Sequence, residues 1–191
     1  MSEHLKSHIE RFVEIKDADF DEILKYFTVI KASKKQNLLI EGKICRYNYF
    51  VSQGCLRLFF INEKGAEQTI QFALENWWLA DYTSFFAQKP SEFYIQAIEK
   101  SEVLALDFLS QEKLLNQYPQ MERYFRSVHQ RAHAAFQFRI KNLYQLSREQ
   151  LYYDFNRLYP EFVQRIPGYL LASFLGFTPE YLSEIKSRRI S

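Results

Sequence analysis

The feature that most narrows the folds open to this chain is the punctuation of its last twenty-six residues, Ile166 to Ser191. Pro167 is placed to open a short helix, Gly176 to stop it, and Thr178 to cap a second helix with Pro179 at its first position. Leu170, Leu171 and Phe174 can pack on Phe177, Leu182 and Ile185. That packing leaves Glu180, Tyr181, Ser183, Glu184, Ser187 and Arg188 outward, a polar face of the kind that enters a DNA major groove. The same two-helix pattern also occurs in helical domains that bind nothing, so the rest of the chain must supply the context.

Upstream, residues 120 to 146 contain neither Gly nor Pro and form a helical pattern roughly 40 Å long at about 1.5 Å per residue. Met121, Phe125, Val128, Ala132 and Ala135 recur at alternating spacings of four and three, and Leu143 and Leu146 extend the stripe. This spacing predicts a coiled-coil-like seam through which the helix pairs with a second copy, or a stripe that packs on the preceding domain. Ser147 to Gln150 reads as a capping box opening another helix, which Tyr159-Pro160 ends. Arg123, Arg126, Arg131, Arg139 and Lys141 face one carboxylate, Glu122, and could add DNA contacts or solvate the outer helix faces.

The first half of the chain reads differently. Glu3 to Ile30 has helical spacing, with Leu5, Ile9, Phe12 and Val13 and then Phe20, Ile23, Leu24 and Phe27 on its faces. From about Thr28 the pattern breaks into short strands at Leu38 to Ile40, Tyr47 to Val51, Cys55 to Ile61, Gln68 to Phe72, Phe93 to Ile98 and Glu102 to Asp107. Asn62 to Gly65 fits a hairpin turn, and Ser110 can cap a short helix after the last strand. Close-spaced strands with no helix between them indicate an antiparallel barrel or jelly roll. The fold class expected is therefore α+β: an N-terminal antiparallel β jelly-roll barrel with flanking helices, a long dimerisation helix, and a C-terminal helical helix-turn-helix domain. The expected boundaries are residues 1–118, 119–146 and 147–191.

With 191 residues, 47% hydrophobic and 17% aromatic, the chain can fill a core. It has no apolar run long enough to span a bilayer and no secretory apolar segment after Met1, so a cytoplasmic location and no membrane partner are expected. Cys45 and Cys55 are too few for a disulfide framework or a zinc ribbon and read as small apolar fillers on strands. A net charge of +2 excludes a uniformly basic nucleic-acid coat.

Three passages carry a family resemblance: Glu75 to Asp81 (E-N-W-W-L-A-D), Tyr159 to Pro167 (Y-P-E-F-V-Q-R-I-P), and Leu171 to Ser183 (L-A-S-F-L-G-F-T-P-E-Y-L-S). With barrel, long helix and helix-turn-helix in that order, the chain resembles the Crp/Fnr family of bacterial transcription regulators, in particular its shorter Bacteroidetes-type members. The resemblance implies a cyclic-nucleotide-binding-type sensor barrel, a homodimer, double-stranded DNA with a palindromic operator as partner, and RNA polymerase as a further one.

Two departures from that family matter. Its phosphate cassette carries a glutamate and an arginine followed by a small hydroxyl residue, and the matching positions here are Asp81, Ser91 and Glu92. The phosphate-binding cation is gone and Glu92 would repel an anion, so tight binding of cyclic AMP or cyclic GMP is not expected. Trp77, Trp78, Asp81, Tyr82, Ser91, Glu92 and Tyr94, with Phe85 and Phe86, are the candidate lining of a pocket for an unidentified small-molecule effector, or they fill the barrel themselves.

The second departure lies in the recognition helix, where relatives read bases with arginine, glutamate and arginine and this chain has Pro179, Glu180 and Glu184. The candidate DNA-binding residues are Thr178, Glu180, Tyr181, Ser183, Glu184, Lys186, Ser187, Arg188 and Arg189. Base reading would fall to Glu180, Tyr181 and Ser183, and phosphate contact to Lys186, Arg188 and Arg189. Three cations against two carboxylates over 178–191 give a shallow salt dependence.

Other readings stay open at this stage. A degenerate relative could act by protein contacts or as a small-molecule-binding module without sequence-specific DNA binding. A metal-dependent barrel enzyme would need His ligands inside the barrel, and all four histidines lie outside the strands. His129 and His133 share a helix face but lack a third ligand, so neither a metal nor a cofactor is expected. No nucleophile elbow or phosphate loop is present, and catalysis is not expected.

Overall fold

Period-two alternation on two central strands organises the barrel. Tyr49 and Val51 point to one side of their strand and Phe50 to the other; Val103 and Ala105 likewise oppose Leu104 and Leu106. Both faces are apolar, so this sheet must be covered twice, by a second sheet inside and by helices outside.

The computed structural model describes residues 2–188 and meets that requirement. In chain order the elements are α1 (Ser2–Glu10), α2 (Asp17–Leu24), β1 (Phe27–Ala32), β2 (Asn37–Leu39), β3 (Tyr47–Gln53), β4 (Leu56–Ile61), β5 (Glu67–Ala73), β6 (Trp78–Leu79), α3 (Tyr82–Ala87), β7 (Tyr94–Ala97) and β8 (Ser101–Asp107). There follow α4 (Phe108–Gln117), α5 (Gln120–Gln145), α6 (Arg148–Leu158), α7 (Pro160–Arg165), α8 (Gly168–Leu175) and α9 (Pro179–Arg188).

Two four-stranded sheets form, ordered β1-β8-β3-β6 and β2-β7-β4-β5. Pairing is antiparallel, with Phe27 to Ala32 of β1 running against Leu106 to Ser101 of β8. Between the sheets lie Ala32, Tyr49, Val51, Leu79, Val103 and Ala105 from the first and Leu39, Leu56, Leu58, Ala73, Ile95 and Ala97 from the second. The outer face of the first sheet, with Phe50, Trp78, Leu104 and Leu106, is covered by Leu5 and Ile9 of α1, Phe20 and Ile23 of α2, Leu114 of α4, and Met121, Tyr124 and Phe125 of α5. Burying each such side chain fully is worth about 1.5–3 kcal/mol. This is the expected α+β jelly-roll class.

The chain divides into two compact units: residues up to Ile61 with Ile70–His129, and Asn62–Thr69 with the residues from Gln130 on. Four local expectations are corrected. The helical pattern across Glu3 to Ile30 is two helices, and from Phe27 the chain is already strand, because β8 pairs with it along six residues. Asp107, not Ser110, caps α4: its carboxylate accepts from the Ser110 amide at 2.9 Å and the Ser110 hydroxyl at 2.7 Å. Pro160 does end α6, but it also opens α7, where a missing amide costs nothing at the first turn. Cys45 and Cys55 are buried as expected, though just outside β3 and β4 rather than on strands.

Candidate functional site

The C-terminal helices are fixed by their own caps. Gly176 takes φ +78° after α8; the Phe177 amide donates to the Ala172 carbonyl at 2.8 Å, and the Gly176 amide to Ser173 at 3.3 Å. That is the bonding of a Schellman stop. Two residues on, the Thr178 hydroxyl accepts from the Tyr181 amide at 3.2 Å and starts α9 behind Pro179. Leu170, Leu171, Leu175, Phe177, Leu182 and Ile185 are buried. Thr178, Glu180, Ser183, Glu184, Ser187 and Arg188 are exposed and Tyr181 and Lys186 half-buried, so the expected polar face is formed; Arg189 lies outside the described residues.

Half-buried Phe174 meets Phe155 and Phe162, with ring centroids 5.7 and 6.5 Å away, and the neighbouring Leu175, which the sequence reading does not place in the core, is buried. The Arg139 guanidinium lies 3.9 Å above the Phe174 ring and donates to its carbonyl at 2.7 Å, satisfying one of the orphan acceptors at the end of α8. Burial lowers the Arg139 pKa to about 10. Ser173, also on α8, accepts from the Thr69 amide and donates to the Glu67 carbonyl, both at 2.8 Å, and its own carbonyl accepts from the Gln68 side chain.

The charge on α9 is less available than its composition implies. Arg188, expected at a phosphate, bridges Glu184 at 2.5 Å and Glu149 of α6 at 2.8 Å. The hydrogen bond to Glu184, then the charges of Glu184 and Glu149, hold its guanidinium still more firmly protonated. Tyr181 meets Phe177 edge-on at 5.6 Å with the Arg148 guanidinium 5.8 Å from its ring. Sequence spacing could not single out Arg148 and Glu149, which reach α9 only through the fold.

In the barrel, two of the expected effector residues meet directly. Buried Asp81 caps α3 by accepting through one carboxylate oxygen from the amides of Thr83 and Ser84, at 3.1 and 3.2 Å. Its other oxygen accepts from the hydroxyl of buried Ser91 at 2.6 Å. The Ser84 hydroxyl accepts from the Cys45 amide at 2.9 Å and donates to the Lys89 carbonyl at 2.5 Å. Burial pushes the adjoining Cys45 thiol up to about 11, so it stays neutral.

The remaining candidate lining disperses. Trp78 faces the helices, opposite Leu79 on the two-residue β6, and its indole donates to the Tyr124 hydroxyl at 2.8 Å. Trp77 and Glu92 are exposed at the surface. Half-buried Tyr94 stacks on Phe59 at 5.0 Å and meets Glu41 at 3.2 Å. Tyr82 touches Asn48 at 3.3 Å, stacks on Phe86 at 6.1 Å and meets His129 edge-on at 4.8 Å. A hollow of about 350 Å³ lies elsewhere, lined by Glu3, His4, Ser7, His8, Arg11 and Asn76.

The expected dimer seam is split in two. Met121 and Phe125 are buried against the barrel and Val128 packs beside them, because the outer face of the first sheet needs covering; Ala132 and Ala135 are exposed. Phe136, Ile140 and Leu143, exposed and at helical spacing from Ala132, continue the apolar stripe along the second half of α5. His129 packs on Phe125 and Tyr82 while His133 is exposed, and no three His, Cys, Asp or Glu side chains gather into a metal-binding group among the described residues. No helix among them is long and apolar enough to cross a membrane.

Residues 29–118 match the family model of the cyclic nucleotide-binding domain. The chain is similar in structure to the catabolite activator protein of Thermus thermophilus, at 19% identity over 91% of this chain and 83% of that one, TM-score 0.56. It is similar to FixK2 of Bradyrhizobium japonicum at 17% identity over 85% and 83%, TM-score 0.68. The c-di-GMP-responsive global regulator CLP of Xanthomonas campestris aligns at 10% identity over 91% of both chains, TM-score 0.71. No curated protein matches the sequence significantly.

Proposed function

We propose that this chain, whose residues 29–118 match the cyclic nucleotide-binding domain and whose fold is that of the Crp/Fnr regulators, is a cytoplasmic, homodimeric DNA-binding transcription regulator and not an enzyme. The observation that carries this reading is the capped pair α8–α9, whose exposed side chains Thr178, Glu180, Ser183, Glu184 and Ser187 are polar while Leu182 and Ile185 anchor the helix from behind. Glu180 and Ser183 read base edges, Glu180 as an acceptor for a cytosine amino group. Lys186 touches phosphate. Arg188 orders the helix against α6 until a phosphate competes with Glu149 and Glu184 for it.

The exposed stripe of Ala132, Phe136, Ile140 and Leu143 is the dimer seam, shorter and further along α5 than the stripe beginning at Met121. A twofold dimer sets two half-sites one helical turn apart, roughly 34 Å, in a palindromic operator. RNA polymerase is the partner to which a DNA-bound regulator of this architecture answers. In this reading residues 1–118, 119–146 and 147–191 serve as sensor barrel, dimerisation helix and DNA-binding domain.

Selection from a random duplex library tests the reading. A palindromic motif with half-sites one turn apart is the expected result; no enriched motif would leave a degenerate family member working through protein contacts. A monomer in sedimentation would remove the half-site geometry. In the barrel, calorimetry with cyclic AMP and cyclic GMP is expected to show no submicromolar binding, since buried Asp81 offers a carboxylate where an anion needs a cation.

A further inference from the structure

We infer that the barrel is closed by its own side chains, with Asp81 and Ser91 forming the clasp, and that it holds α3 in place with no bound small molecule; the DNA binding proposed above, on which this consequence rests, is therefore effector-independent. The polar groups at the start of α3 are already engaged within the protein. Asp81 takes the Thr83 and Ser84 amides on one oxygen and the Ser91 hydroxyl on the other. Ser91 is itself tied into the chain on both sides. Its amide donates to the Lys43 carbonyl at 2.9 Å, its carbonyl accepts from the Gly42 amide at 2.8 Å, and its hydroxyl oxygen accepts from the Phe93 amide at 3.0 Å. Ser84 links the same helix to Cys45 and Lys89.

A ligand seated here would have to break several of these buried bonds and supply equivalents, and an anionic one would do so beside a carboxylate that accepts three hydrogen bonds. The space beneath is filled: Phe85 of α3 is buried with Tyr49, Leu79, Ala80 and Ile95 and meets Phe108 edge-on at 5.8 Å. α3 also presents Tyr82 to His129 of α5 at 4.8 Å. The clasp thus does for α3 what a bound effector would otherwise do: it fixes the helix and, through Tyr82, the flank of α5 that α3 touches. An equilibrium of this kind responds to a small molecule only as far as that molecule binds its two states differently, and a closed clasp leaves little to discriminate.

The test strips and rebuilds the full chain. Protein is unfolded in guanidinium, freed of small molecules by dialysis and refolded, and its operator affinity and the amide exchange of Tyr82–Ala87 are compared with untreated protein. Unchanged affinity, within about twofold, with unchanged exchange supports the clasp; an affinity fall of about tenfold or more that is restored by cyclic AMP, cyclic GMP or the released small-molecule fraction overturns it. Should neither preparation bind any operator, the DNA-binding reading fails while exchange still judges the clasp. Slow exchange of Tyr82–Ala87 in stripped protein upholds it; fast exchange that slows on returning the released fraction overturns it. Ser91→Ala, which removes the hydroxyl's bonds to Asp81 and to the Phe93 backbone and keeps the α3 cap, is expected to speed exchange in both Tyr82–Ala87 and Lys43–Cys45, and an unchanged pattern would sink the clasp.

Discussion

The Tyr124 hydroxyl accepts a hydrogen bond from the Trp78 indole at 2.8 Å, within the packing between the first sheet and the helices that cover it. The same oxygen meets His8 Nδ1 at 2.7 Å, so one buried phenol joins α1, β6 and α5. This bond holds Trp78 towards the helices and ties the first half of α5 to the outer face of the first sheet. Tyr124→Phe keeps the ring but takes the acceptor from the buried Trp78 indole and the contact from half-buried His8, and should lower stability by about 1–3 kcal/mol. Chemical denaturation of the two proteins checks it, with Trp78 fluorescence as the local signal.

Much of the tail was legible from sequence because its determinants are local. Gly176 and Thr178 act within four residues of themselves, and capping chemistry at that range needs no tertiary context. The strands of the barrel were legible from alternation for the same reason. What could not be read is what the fold brings together: Asp81 with Ser91, ten residues apart, and Arg188 with Glu149, thirty-nine apart. Periodicity also identifies an apolar stripe without naming its partner. Met121 and Phe125 carry the right spacing for a seam, and the outer face of the barrel takes them first.

Gly54 and Gly176 should respond very differently to alanine. Both have positive φ, +93° and +78°, so each substitution carries backbone strain of about 1–2 kcal/mol. At Gly176 a Cβ meets nothing within 4 Å, whereas at Gly54 it would stand 2.7 Å from the Ser101 Cα, backbone that cannot swing aside. Gly54→Ala is therefore expected to cost at least about twice as much as Gly176→Ala, on the scale of overpacking in a filled interior. Urea midpoints for the two variants decide the ranking.

Arg139→Lys should destabilise the C-terminal helices although it preserves charge. A lysine cannot lie flat on Phe174 while donating to its carbonyl, so the stacked contact and the bond at the end of α8 are lost together, about 1–2 kcal/mol. The variant should also bind operator more weakly in proportion to the population of disordered α8, and stabilising osmolyte should restore that binding. If affinity falls while the unfolding midpoint holds, Arg139 contacts DNA directly and its packing role is secondary.

His129 gives the first unit a pH dependence whose sign follows from its burial. Packed on Phe125 and Tyr82, the ring is desolvated, which disfavours the imidazolium and lowers the folded pKa below the ordinary 6.5. The unfolded chain therefore takes up this proton first as pH falls. Stability is complete above about pH 6.5, declines as the pH drops below that value, and levels off once the folded ring also protonates. His129→Gln removes the titrating group and should flatten this part of the profile while costing some packing at every pH. Unfolding midpoints measured between about pH 7.5 and pH 5, above the range where most carboxylates titrate, provide the check. An identical slope in the wild type and the variant would assign the acid sensitivity to other groups.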